Sequence, residues 1–156
     1  MPPTPSARST PSGTKMDDGY QSLVAFAADI DASFWEKTVK APGMDGGGPV
    51  DTTTMHNVTW RSFAPKSLIT LTQFQVTGAY DPIVYSSLLN LINVKTTVTV
   101  HFPNGGSLAF FGFITGVDMN ALAEGTQPEI SVSVMPGNEN PTTGAFEAPV
   151  YTEPAS

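Results

Sequence analysis

The sequence predicts an α+β domain that is mainly antiparallel β, a sandwich or open barrel of strands packed on one helix. Short runs alternating apolar with polar residues recur between Gly- and Pro-rich turns, as in "KTTVTVHFP" and "EISVSVMP". Only "DPIVYSSLLNLIN" carries apolar residues at helical spacing. The composition agrees: 40% apolar and 13% charged residues, against the usual ~45–50% and ~25%, leave room for Thr, Ser, 14 Gly and 14 Pro, which suit sheets and turns.

Residues 1–18, "MPPTPSARSTPSGTKMDD", hold almost no apolar side chain to offset the entropy of ordering, and read as an extended N-terminal arm. A β domain is expected over 19–137 and an extended C-terminal tail over 138–156, with Phe146, Val150 and Tyr151 as its docking points. Within the domain, "YQSLVAFAAD" and "SFWEKTVK" read as strands, the second placing Trp35, Lys37 and Val39 opposite Phe34, Glu36 and Thr38. "APGMDGGGPVDTTTMHN" then reads as a long loop, and structureless loops beyond ~12–15 residues are usually functional or disordered. The functional reading is preferred here.

"SLITLTQFQVTG" reads as one strand in which Ile69 and Leu71 share one parity and Phe74 and Val76 the other, which implies a bulge or burial on both sides. For the helix, Asp81 is a cap, Pro82 suits the first helical position, and Val84, Leu88 and Leu91 form the packing face. A hairpin follows. Val98, Val100 and Phe102 oppose Thr97, Thr99 and His101, and Asn104-Gly105-Gly106 makes the turn. The returning strand is apolar on both parities: Leu108, Phe110 and Ile114 on one, Ala109, Phe111, Phe113 and Val117 on the other. The last strand restores alternation, with Ile130, Val132 and Val134 inward and Glu129, Ser131 and Ser133 outward.

Seven basic residues face fourteen carboxylates, and from Met16 onward five face all fourteen, about −9. A chain so acidic is a poor ligand for phosphate backbones, whose affinity comes largely from Lys and Arg. No cysteine is available for disulfides or thiolate metal sites. No apolar run reaches the ~18–20 residues of a membrane span, and the start does not read as an export signal, so no membrane association is expected.

Catalysis lacks the residues. His56 sits in the Gly/Pro loop, His101 on the polar face of a strand, and no Gly-x-Ser-x-Gly elbow occurs. "DIDAS" opens like a calcium loop, but Phe34 and Lys40 stand where Gly and Glu are needed. Asp45 and Asp51, and the pairs Asp17-Asp18 and Asp29 with Asp31, read as solvated charge. No enzyme activity, metal or cofactor is expected.

The second apolar face of the hairpin raises the question of cover. Exposing Phe111 and Phe113 would forfeit ~1.5–3 kcal/mol each, and the helix covers only one face of a sheet. Periodicity alone weighs a two-sheet sandwich and a subunit contact equally.

Over about residues 20–138 the sequence resembles the major tail tube proteins of long-tailed, non-contractile bacteriophages. The resemblance rests on "VKAPGMDGGGPVDTTTMHN", "TWRSFAP", "SLITLTQFQ", "YDPIVYSSLLNLIN", "VHFPNGGSLAFFGFITGV" and "EISVSVMPGN" in that order. It implies hexameric rings stacked into a hollow tube, assembled in the host cytoplasm and carried in the virion tail, through which double-stranded DNA passes without specific binding. Implied partners are further copies of the chain and tail terminator, distal tail and tape-measure proteins. Contacts between subunits or rings are expected at Pro42, Met44, Asp45, Val50, Asp51, Met55 and His56 of the loop, at Phe111 and Phe113, and at Phe146 and Tyr151. Carboxylates lining such a lumen would repel phosphate within a Debye length of roughly 8 Å. Other readings are a virion decoration protein of similar build, the tube of a contractile secretion system, and a carbohydrate-binding module stacking sugars on Trp35, Trp60, Tyr80 or Tyr85.

Overall fold

The computed structural model describes residues 22–29, 32, 35–103 and 105–154; the expected arm 1–18, Asp31, Phe34 and the turn residue Asn104 lie outside them. The strands are β1 (Leu23–Phe26), β2 (Glu36–Val39), β3 (Met44–Asp45), β4 (Val50–Asp51), β5 (Phe63–Ala64), β6 (Thr70–Leu71) and β7 (Phe74–Ala79). After the helix α1 (Pro82–Asn90) come β8 (Thr96–His101), β9 (Ser107–Met119), β10 (Glu129–Pro136) and β11 (Val150–Thr152). The main sheet runs β1-β8-β9-β10-β7-β2, with β11 added beside β9, and every ladder is antiparallel. This is the mainly antiparallel α+β architecture expected.

Strand β9 is the hub. Its first half pairs with β8, from His101 opposite Ser107 to Thr96 opposite Gly112, and its second half pairs along the other edge with β10, from Pro136 opposite Gly112 to Ile130 opposite Met119. Gly112 therefore stands where the two ladders overlap. A Cβ there would lie 2.7 Å from the Met135 carbonyl oxygen and 3.3 Å from both the Phe110 ring and Pro136 Cα, so only glycine fits.

Beyond this crossing the sheet curls until its two edges meet. Val24 of β1 donates its amide to Glu36 Oε1 of β2 at 3.0 Å, joining strands at opposite ends of the order. Inner-face residues of both halves form one core: Val24, Val98, Val100 and Phe110 with Val76, Ile130, Val132 and Val134. Phe74 and Phe110 meet edge to face across it, centroids 5.7 Å apart. Helix α1 packs its apolar face into this core. Asp81 accepts the Ile83 amide at 3.0 Å, Pro82 occupies the first turn, and Val84, Leu88 and Leu91 are buried.

Two bulges correct the simple alternation read from sequence. In β9, Ile114 faces Val134 and Gly116 faces Ser133, so Thr115 is the extra residue. Its hydroxyl donates to the Ser133 carbonyl at 3.2 Å and accepts from Gln73 Nε2 at 3.1 Å. The phase changes there, and Val117 packs against the core instead of sharing a face with Phe111 and Phe113. In β2 the extra residue is Lys37, which leaves Glu36 half-buried, Val39 against the core, and Trp35 79% exposed. The strand expected over 67–78 is likewise two, β6 and β7, with Leu71 and Phe74 both buried and Ile69 exposed. Ser131, expected outward, is buried, and its hydroxyl donates to Asn120 Oδ1 at 3.0 Å.

Two substitutions test this closure. Gly112→Ala is expected to destabilise the domain by about 1–3 kcal/mol, read as a lower urea midpoint, because the added methyl meets backbone that cannot move independently. At the seam, burial pushes the Glu36 carboxyl above its usual range, partly offset by the Val24 amide bond. A raised carboxyl contributes stability below the unfolded value of about 4.3 and loses it as pH rises through the folded value. The urea midpoint of Glu36→Gln relative to the parent protein should therefore climb between about pH 4 and pH 7. A gap independent of pH would remove Glu36 from the account.

Candidate assembly surface

The segment expected to be a long structureless loop is one limb of a paired arm spanning residues 40–73. At its root Thr72 donates its amide to the Gly43 carbonyl at 2.8 Å and Thr72 Oγ1 accepts the Gly43 amide at 2.9 Å. Strand β3 pairs with β6, and further out β4 pairs with β5. Between them Gly47 adopts φ +74°, and its amide donates to Asp45 Oδ1 at 2.8 Å. Towards the tip Thr52 donates to the Ser62 carbonyl at 2.9 Å. Asn57 then ties the end: Oδ1 accepts the Thr54 amide at 2.8 Å, and Nδ2 donates to the Trp60 carbonyl at 3.1 Å.

From Gly43 to Thr70 every residue is exposed except the half-buried Ser62 and Ala64. Met44, Val50, Met55, Val58, Trp60, Phe63, Leu68 and Ile69 are all exposed large apolar residues, with Met55 and Val58 almost wholly in water. An isolated two-stranded ribbon is marginally stable, and apolar surface on this scale marks an interaction site.

The sequence-expected contact residues fall into three groups. Met44, Asp45, Val50, Asp51, Met55 and His56 are exposed along the arm, whereas Pro42 is buried at its root. The two aspartates are engaged within the arm. Thr53 donates to Asp51, chiefly through its hydroxyl and also through its amide, and holds that carboxyl below its usual range; Arg61 lies 3.5 Å away. Phe111 and Phe113 are half-buried, with Gly137 against the Phe113 ring. Phe146 and Tyr151 are 84% and 55% exposed.

The segment after β10 is held to the domain. Gly137 and Asn138 donate their amides to the Phe111 carbonyl at 2.9 and 3.0 Å, and Lys95 pairs with Glu139 at 2.9 Å. Glu139 bridges Phe146, and the chain then runs into β11, where Tyr151 lies beside Phe102 with centroids 6.3 Å apart. Between this segment and the arm's root lies a cavity of about 410 Å³, walled by Met44, Ile69, Leu71, Phe146, Ala148 and Pro149, with Asn138 and Glu147 as its polar residues. Asn138 stands at φ 52°, and its Oδ1 is buried without a hydrogen-bond partner.

Sequence reading named no contact residue on the returning limb of the arm, Val58 to Ile69, whose strand β5 is two residues long. The clue was "TWRSFAP", an apolar-aromatic stretch directly after the Gly/Pro segment. The four aromatics considered as a sugar platform are spread out. Trp60 is on the arm, Trp35 precedes β2, and Tyr80 and Tyr85 pack on each other at the start of α1, centroids 5.6 Å apart. Among the described residues no three His, Cys, Asp or Glu side chains gather as metal ligands. His101 is half-buried on β8 and His56 is exposed on the arm. At the other end of the domain Lys37 and Glu129 pair at 2.7 Å, and this hydrogen bond and charge hold the Glu129 carboxyl below its usual range.

No protein-family model and no curated protein matches the chain. Solved structures do. A chain from the tail of an empty gene transfer agent particle, refined with C6 symmetry, aligns over 88% of this chain and 100% of its own, with a TM-score of 0.62 and 12% identity. A chain from the six-fold symmetrised baseplate of the anti-feeding prophage aligns over 90% and 97%, with a TM-score of 0.64 and 6% identity. The Hcp protein aligns over 85% and 98%, with a TM-score of 0.52 and 13% identity. At these identities the likeness is one of fold, and it spans 85–90% of this chain: this chain has the fold found in the tail of a gene transfer agent particle, in the anti-feeding prophage baseplate and in Hcp.

Proposed function

We propose that the chain is the structural subunit of a tail tube, polymerising through stacked hexameric rings into the hollow conduit of a long-tailed, non-contractile phage particle. The observation that carries this reading is residues 43–70 of the paired arm, rich in apolar side chains and exposed but for the half-buried Ser62 and Ala64, on a domain whose core is already closed. Such an arm has nothing left to stabilise within its own chain. Its burial against neighbouring copies supplies the driving force for assembly. The near-complete fold match to a chain from a C6-symmetric tail supports six subunits per ring. Met44, Asp45, Val50, Asp51, Met55 and His56 are the arm's contacts in this reading, with Pro42 bracing the root and Phe111, Phe113, Phe146 and Tyr151 contributing from the domain.

The likeness to Hcp supports a second reading, the tube of a contractile secretion apparatus. Both share one chemistry, a surface that binds itself and no reacting group. Under the phage reading the acidic balance of the chain lets DNA slide through without adhering.

Replacing residues 46–66 with a two-residue Asn-Gly turn should leave the domain folded, since none of the buried core residues lies in that span. In sedimentation velocity the parent protein is expected to form large species whose share grows with concentration, and the shortened variant to stay as small species throughout. Equal polymerisation of the two would contradict the role given to the arm.

A further inference from the structure

We propose that the cavity between the arm's root and the C-terminal segment receives the arm tip of a second copy of this chain, with Trp60 inserted and Arg61 pairing with Glu147 at the rim. This rests on the self-assembling reading above and names the two halves of one of its contacts.

The cavity dictates the chemistry of its guest. Met44, Ile69, Leu71 and Phe146 give it apolar walls. Such walls favour a large apolar guest, whose burial removes the most surface from water. An indole is the largest such side chain, and its single N–H can stay at the wet mouth of the cavity. Trp60 is 81% exposed, and its carbonyl is held by Asn57 at the arm's end. The other exposed apolar side chains near the tip, Met55 and Val58, are smaller and would bury less surface there. At about 410 Å³ the cavity admits one large aromatic side chain.

Charge agrees with this pairing. The arm, residues 40–73, carries three basic and two acidic residues, whereas the rest of the chain carries four basic and twelve acidic. Next to Trp60, Arg61 keeps 76% of its side chain exposed while touching Asp51, and its five donors can serve a second carboxylate. Glu147, on the cavity rim, is exposed, with one 3.3 Å bond from Asn140 Nδ2. Trp and Arg are also the side chains most often found to dominate interface energies.

The guest must come from another copy. The two limbs stay paired from Met44–Leu71 out to Thr52–Ser62, which keeps the tip away from its own root. Each copy then offers one tip and one cavity. That head-to-tail contact propagates, closing as a ring or continuing as a filament.

The chain has no cysteine, so engineered thiols report a single pair. Thr59→Cys and Ala148→Cys, both at exposed positions, are mixed in equal amounts and oxidised under polymerising conditions. The mixture should give a covalent dimer that neither variant alone gives in comparable yield. Trp60→Ala should raise the concentration needed for polymer by about tenfold or more. Arg61→Glu and Glu147→Arg should each raise it several-fold, and combining them should recover much of the loss. Polymer without the cross-link, unaffected by Trp60→Ala, means the cavity takes another occupant; it overturns this docking and leaves the tube reading standing. The cross-link in discrete small species, with no polymer, supports the docking and overturns the tube. Neither cross-link nor polymer overturns both.

Discussion

Strand β9 passes through both halves of the sheet, and the close approach at Gly112 is the constraint on which the rest depends. Over six residues it is a hairpin partner of β8; from Gly112 onward its opposite edge belongs to β10. A side chain at 112 would strike the Met135 carbonyl, so the ladders overlap there only because the residue lacks one. With both ladders anchored to one strand, β1 and β2 are brought round to meet at Val24 and Glu36, and a single helix suffices to complete the core. The bulge at Thr115 is part of the same turn. It adds local twist and rotates Val117 inward.

A core closed by its own chain changes the meaning of what remains outside. The arm brings eight large apolar residues into water and holds them there with short ladders and side-chain caps such as Asp45 to Gly47 and Asn57 to Thr54. These bonds set the arm's shape, each contributing roughly 0.5–1.5 kcal/mol net at most, and they do not hide its surface. Shape fixed before contact lowers the entropy lost on docking. The charges are sorted as well. The whole surplus of acid lies off the arm, so an arm approaching another copy meets opposite charge.

Much of the domain was legible in the sequence, and the parts that were not share a cause. The helix could be read because Asp81, Pro82 and the spacing of Val84, Leu88 and Leu91 act locally. β8 and β10 could be read because a period of two persists for six to eight residues. The bulges at Lys37 and Thr115 were not legible: an inserted residue looks like any other until its partner strand is known. The arm's strands, two residues each, fall below any window in which periodicity can be counted, so a Gly/Pro-rich stretch read as a loop is a ribbon. The near-limb residues named from the sequence, from Met44 to His56, are exposed. The cavity could not, because it joins residues 44, 69 and 71 to residues 138 and 146–149.

The central claim is that this closed domain exists to polymerise through the surface it leaves open. Electron microscopy of the purified protein over a concentration series tests it most directly. The account predicts hollow filaments of constant width with a regular axial repeat, growing in number with concentration. Discrete trimers that never lengthen at any concentration would contradict it and point to a decoration protein on a shell.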